Sequence, residues 1–100
     1  MKYWKTGNDV YIGDAFGDAI ELTEAEFNSE MLIRREIDVR DKRDSLINDT
    51  VWRVQRYESE TRLGITTTDN IANIDTYIQA LRDIPQQEGF PNNITWPSKP

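Results

Sequence analysis

The chain opens with short apolar clusters separated by turn formers. Tyr3-Trp4 and Val10-Tyr11-Ile12 are strand-forming residues, and Thr6-Gly7-Asn8-Asp9 between them is rich in turn formers. The pattern predicts a β-hairpin over residues 2–13, which is marginal unless something packs on it. Asp14-Ala15-Phe16-Gly17-Asp18 reads as another turn, and Ala19-Ile20-Glu21-Leu22 as a short third strand.

A helical pattern follows. Thr23-Glu24-Ala25-Glu26 is a capping box: the Thr23 hydroxyl can accept from the Glu26 amide while the Glu26 carboxylate accepts from the Thr23 amide. Leu22 and Phe27 stand at the positions of a hydrophobic staple. The helix is expected to run from Thr23 to about Asp49, uninterrupted by Gly or Pro and supported by the i,i+4 pairs Glu36–Arg40 and Asp38–Lys42. Its apolar stripe is thin. Leu32, Val39 and Leu46 recur every seven residues, but Arg35 and Lys42 occupy the intermediate positions, and nine of the twelve residues from Arg34 to Ser45 are charged. A solvated helix with one packed edge fits this pattern. So does a helix that pairs with a second chain or extends from the domain, although a full coiled coil wants apolar residues at both seam positions.

Thr50-Val51-Trp52-Arg53-Val54-Gln55-Arg56-Tyr57 has strand-like composition, with Trp52 and Val54 on one face; helix through Leu63, stopped by Gly64, is the alternative. Residues 65–69 form a loop. A second helix is predicted over Asn70–Ile84, where Ile71, Ile74, Ile78 and Leu81 follow helical spacing with Tyr77 and Ile84 flanking them. Pro85 ends it, and all four prolines lie between Pro85 and Pro100, so this tail is expected to be extended or turn-rich. Phe90, Ile94 and Trp96 within it need a surface to cover them.

The expected fold class is therefore α+β: an N-terminal β-hairpin or small antiparallel sheet, a long charged helix, a second amphipathic helix and an extended proline-rich C-terminal tail. One domain of 100 residues is expected, with a β-hairpin region at 1–22, a helical region at 23–84 and the tail at 85–100.

Composition narrows the function. Hydrophobic residues make up 37% and charged residues 30%, which argues against full disorder and against a membrane protein. The first residues carry no apolar signal core, so secretion is not indicated. There is no Cys and no His. Disulfides, thiolate nucleophiles and the usual catalytic triads and dyads cannot be built. No enzymatic role and no cofactor are expected. The net charge is −6, with most of the excess acid in residues 1–31. Nucleic-acid binding wants a basic stripe and is not expected here.

The clustered acids Asp14, Asp18 and Glu21 lack the alternating ligands and central glycine of a calcium loop, so a solvated surface is the favoured account and no metal is expected. Asp38, Asp41 and Asp44 alternate with Arg40, Lys42 and Arg43, as on a charge-paired helix face. Trp4, Trp52 and Trp96 are either anchors of the fold or, for at least one of them, an exposed hot spot for a partner.

One stretch resembles a known family. Tyr77-Ile78-Gln79-Ala80-Leu81-Arg82-Asp83-Ile84-Pro85-Gln86-Gln87-Glu88-Gly89-Phe90-Pro91, followed by Ile94-Thr95-Trp96-Pro97, looks like the C-terminal segment of tailed-bacteriophage tail assembly chaperones, including tail fibre assembly proteins. Arg43-Asp44-Ser45-Leu46-Ile47, Thr50 and Trp52 fit the earlier part, so the resemblance spans roughly residues 34–100. It implies a non-catalytic accessory protein of the host cytoplasm that binds a phage tail or tail-fibre protein and promotes its folding or assembly. The motif residues that become candidate partner contacts are Trp52, Tyr77, Gln79, Arg82, Asp83, Pro85, Gly89, Phe90, Pro91, Trp96 and Pro97. A homo-oligomer through the long helix is an additional expectation; nucleic acid and membrane are not expected partners. The rivals are a structural component retained in the virion and an acidic decoy protein. The apolar tail is suited either to docking on the chain's own helices or to binding the client.

Overall fold

The computed structural model describes every residue from Met1 to Pro100. In chain order the elements are β1 (Tyr3–Thr6), β2 (Asp9–Ile12), β3 (Ile20–Leu22), α1 (Glu24–Leu63) and α2 (Ile71–Arg82), followed by a 3-10 turn at Ile84–Gln86. This is the expected α+β arrangement: a small antiparallel sheet, then a long helix and a second helix. Two compact units are formed, Met1–Ile37 and Asp38–Pro100.

In the first unit the strand order is β2-β1-β3, with β1 antiparallel to both neighbours. Gly7 takes the tight turn between β1 and β2 with φ of 58°, a left-handed conformation that costs glycine little. Side chains alternate across a strand. Tyr3 and Lys5 therefore share one face of β1. The Tyr3 ring lies 4.6 Å from that of Phe27, and the Lys5 ammonium bonds the Glu30 carboxylate at 2.8 Å, so this face meets the start of α1. Arg34 joins Glu30 from the next helical turn at 2.9 Å. The capping box forms. The Thr23 amide donates to Glu26 Oε1 at 2.9 Å, and the Glu26 amide donates to Thr23 Oγ1 at 3.1 Å. These bonds hold the Glu26 carboxyl below its ordinary range.

In the second unit the strand expected at residues 50–57 is absent. α1 continues unbroken to Leu63, which is the helical alternative. Arg, Gln and Glu dominate residues 53–62, and their helix propensity together with tertiary contacts outweighs the β-branched Thr50, Val51 and Val54. Thr50, the one fully buried residue of α1, donates its hydroxyl to the Leu46 carbonyl at 2.7 Å, so its polar atom is satisfied inside the core. α1 stops at Gly64, as expected of that residue. Its φ is 70°, its amide donates to the Thr61 carbonyl at 3.1 Å, and the Ile65 amide donates to the Glu60 carbonyl at 3.1 Å. That pair of bonds is a Schellman motif.

α2 begins at an Asn70 cap whose Oδ1 accepts from the Ala72 amide at 3.0 Å. Its apolar face is buried as the spacing predicts: Ile74, Tyr77, Ile78 and Leu81 are all inside. The regular helix ends at Arg82, slightly short of the expected boundary, because Asp83 caps it and Ile84 passes into the 3-10 turn holding Pro85. Tyr77, Leu81 and Ile84 form the centre of a cluster packed by Val39, Leu46 and Ile47 of α1 and by Phe90, Ile94 and Trp96 of the tail. The tail therefore docks on its own helices. The Gln87 side chain braces it by donating to the Thr95 carbonyl and accepting from the Thr95 amide, both at 2.9 Å. The Phe90–Pro91 peptide is cis.

Gly89 is dictated by this turn. A Cβ there would sit 2.8 Å from the Asn93 Cβ and closer still to the Asn93 carbonyl oxygen, and the Asn93 amide already donates back to the Gly89 carbonyl at 2.7 Å. Two stability outcomes are expected. Leu81→Ala should cost about 2–5 kcal/mol in chemical denaturation, because the site is closed on all sides; a loss below about 1 kcal/mol would show that the cluster is not a packed core. Gly89→Ala should cost about 1–3 kcal/mol by overpacking, and an unchanged denaturation midpoint would show that the turn opens freely.

Candidate functional site

The motif residues divide by environment. Tyr77 is buried in the core cluster, and Phe90 and Trp96 pack against it. The Arg40 guanidinium lies 5.4 Å over the Phe90 ring and the Lys42 ammonium 4.2 Å over the Trp96 ring. Lys42, expected to pair with Asp38, is thus directed at the tail. Pro85 opens the 3-10 turn, and Gly89 makes the close turn. Pro91 and Pro97 are half-buried within the docked segment. These residues are committed to folding the tail back.

Gln79, Arg82, Asp83 and Trp52 remain exposed. The Gln79 amide donates to the Asp83 carboxylate one turn on, at 3.0 Å. Gln79 and Arg82 lie three positions apart on α2 and so share a face. They line an open groove of about 550 Å³, together with Asp75, Thr76 and Ile78 of α2 and Val51 and Val54 of α1. Trp52 does not line it; the residue is 52% exposed, and the Arg56 guanidinium lies 4.7 Å over its ring.

The groove residues Val51, Val54, Asp75 and Thr76 escaped the sequence motif. As a strand, residues 50–57 would put Trp52 and Val54 on one face; as a helix, at about 100° per residue, those two point nearly opposite ways. Helical spacing instead aligns Val51 with Val54, the signal that would have found this wall.

A polar clamp at the other end of the helix pair was also missed. The Asp69 carboxylate accepts two bonds from Arg53, at 2.7 and 3.1 Å, and one from Arg56 at 2.7 Å. Arg53 also donates to the Pro100 carbonyl oxygen at 2.7 Å. Glu60 holds the same loop through the Thr68 amide at 3.0 Å and the Thr68 hydroxyl at 2.8 Å. Arg53, Arg56 and Glu60 recur at helical spacing, so one α1 edge grips the whole loop. The two guanidinium groups hold the Asp69 carboxyl down at about 2.

Chemically the groove offers apolar walls from Val51, Val54 and Ile78 beneath a polar rim. Asp75 and Arg82 on that rim have opposite signs, and neither is in an ion pair. The Thr76 hydroxyl donates to the Ala72 carbonyl at 2.8 Å. Such a surface can bury apolar side chains of a partner and fix them with hydrogen bonds from Gln79 and Arg82.

Residues 36–100 match the profile of a family described as phage tail assembly chaperone protein. The matched span holds both walls of the groove, the clamp and the docked tail; the three strands and the start of α1 precede it. No curated protein and no solved structure matches the chain.

The clamp generates a pH prediction. Folding lowers the Asp69 pKa from an ordinary 3.8 to about 2. Its stabilising contribution is therefore complete above about pH 5 and is lost as the pH falls through about 2. The melting-temperature gap between the native chain and Asp69→Asn should narrow steadily from about pH 5 to about pH 2. A gap that stays constant across that range would rule out a stabilising role for the two arginine pairs.

Proposed function

The chain belongs to the phage tail assembly chaperone family, and on that footing we propose that it binds a segment of a tail or tail-fibre protein in the α1–α2 groove. It keeps that protein competent for assembly and catalyses no reaction. The observation that carries this reading is the division of the motif. Tyr77, Pro85, Gly89, Phe90 and Trp96 are used up in closing the core, whereas Gln79 and Arg82 stand exposed on the rim of an open, apolar-floored groove. A chaperone for an oligomeric tail part must cover apolar surface or strand edges until the oligomer closes. A half-apolar groove with a polar rim supports reversible covering, since little of the surface is lost to solvent when the client leaves. The absence of His and Cys from the chain supports a binding role over a catalytic one. The place of action is the host cytoplasm, where tail parts are assembled, and no helix is long and apolar enough to cross a membrane.

The test is co-expression with the phage's own tail proteins, scored as soluble, assembled client. Gln79→Ala with Arg82→Ala should leave the melting temperature nearly unchanged, because both side chains are exposed, with a cost within about 0.5 kcal/mol each. The same pair, or Val51→Glu in the groove wall, should reduce client yield several-fold. Full client yield from both variants would refute the groove as the binding site. Mass spectrometry of purified particles separates a departing chaperone, which is absent, from a component retained in the tail.

A further inference from the structure

The first unit carries a second surface. Trp4 stands on the face of β1 opposite to Tyr3 and Lys5, and its cross-strand neighbours are Tyr11 on β2 and Glu21 on β3. The three side chains form one row across the sheet, on the face that does not meet α1. Phe16 extends the row. Its ring stacks on Tyr11 with centroids 4.6 Å apart, and its amide donates to the Tyr11 hydroxyl at 3.1 Å. The Trp4 indole is pinned by its N–H to the Gly13 carbonyl at 2.7 Å. Phe16 is 65% exposed, so a rigid aromatic ledge ends on an uncovered ring.

Charge around this ledge is mainly acidic, with Lys2, two residues before Trp4, as the exception. Asp14 and Asp18 lie two residues to either side of Phe16, Glu21 ends the row, and Asp9 begins β2. None of the four is in an ion pair. They do not converge into a group that could hold a metal ion. Lys2 and Lys5 are the only cations in residues 1–33, and Lys5 is spent on Glu30 across the other face. Elsewhere in the chain Trp52, Phe90 and Trp96 each have a cation of the chain over the ring; Trp4, Tyr11 and Phe16 have none.

We propose that this sheet face is a docking site for an arginine-bearing peptide segment of a protein partner. A guanidinium stacks flat on an aromatic ring while its donor fork reaches a neighbouring carboxylate; the sheet register sets Glu21 beside Trp4, and the chain carries Asp14 and Asp18 two residues to either side of Phe16. Charge complementarity selects this occupant: the excess acid repels an acidic partner and leaves an uncharged one without compensation for desolvating the carboxylates. The face precedes residues 36–100, the span that matches the family. It therefore adds recognition of its own to the groove described above, and neither depends on the other.

The experiment uses the full chain and synthetic hexa-arginine, hexa-lysine and hexa-glutamate peptides, followed by amide and indole chemical shifts. Hexa-arginine should move the Trp4 indole N–H and the Tyr11 and Phe16 amides, hexa-lysine should bind more weakly, and hexa-glutamate should not bind. Phe16→Leu keeps an apolar contact with Tyr11 but removes the π face, and should weaken hexa-arginine about threefold. The triple variant Asp14→Asn, Asp18→Asn, Glu21→Gln should weaken it about tenfold. Gln79→Ala with Arg82→Ala should leave it unchanged, so this test fails or succeeds apart from the client assay. Three outcomes overturn the proposal: no shifts on the ledge, binding insensitive to Phe16→Leu, or concentration-dependent self-association through this face that Phe16→Leu abolishes.

Discussion

The second unit is governed by a shortage of apolar surface on α1. That helix is so heavily charged that Thr50 is its only fully buried residue, while α2 presents Ile74, Tyr77, Ile78 and Leu81 along one side. Each such aliphatic side chain is worth roughly 1.5–3 kcal/mol when fully buried. α1 supplies Val39, Leu46 and Ile47 to the cluster, and the remaining cover comes from Phe90, Ile94 and Trp96. The tail is thus a third wall of the core. Its rings also give the α1 cations something to do. Arg40 and Lys42 lie over Phe90 and Trp96, so charged side chains that cannot enter the core still cover it.

The polar contacts fix what the apolar ones leave free. Packed aliphatic faces can slide by a helical turn with modest loss, but a carboxylate bonded by two guanidinium groups cannot. Asp69 beside Arg53 and Arg56, and Thr68 beside Glu60, set where the loop returns and hence where α2 lies along α1. The same register places Val51 and Val54 opposite Ile78 and Gln79, which creates the groove. Its shape follows from the clamp although the two share no residue.

Local signals were legible and long-range ones were not. The Thr23–Glu26 box, the stop at Gly64 and the buried face of α2 are each written within a few residues, and each formed. Residues 50–57 were ambiguous because Thr, Val and Trp favour strands when read alone; the contacts that keep them helical come from Asp69 and from the buried position of Thr50. Asp69 itself looked like an ordinary loop acid, since its partners lie 13 and 16 residues away. The groove became visible only once helical spacing replaced strand alternation. The motif located Gln79 and Arg82 on it, but did not distinguish them from Tyr77 or Trp96, which serve the core.

That distinction bears on how a family match should be turned into a site. The match over residues 36–100 covers folding residues and exposed residues alike, so membership alone cannot separate them. Exposure can. Replacing Tyr77 or Trp96 removes core, so any loss of chaperone activity would follow from unfolding and would say nothing about recognition. Replacing Gln79 or Arg82 leaves the core intact, so a loss of activity there would report on the proposed client contact. The tail aromatics and prolines, which carry the resemblance read from the sequence, are therefore the poorest probes of what the chain binds. The informative positions are the less conspicuous ones along the groove, where an uncharged amide, an unpaired arginine and two valines meet solvent.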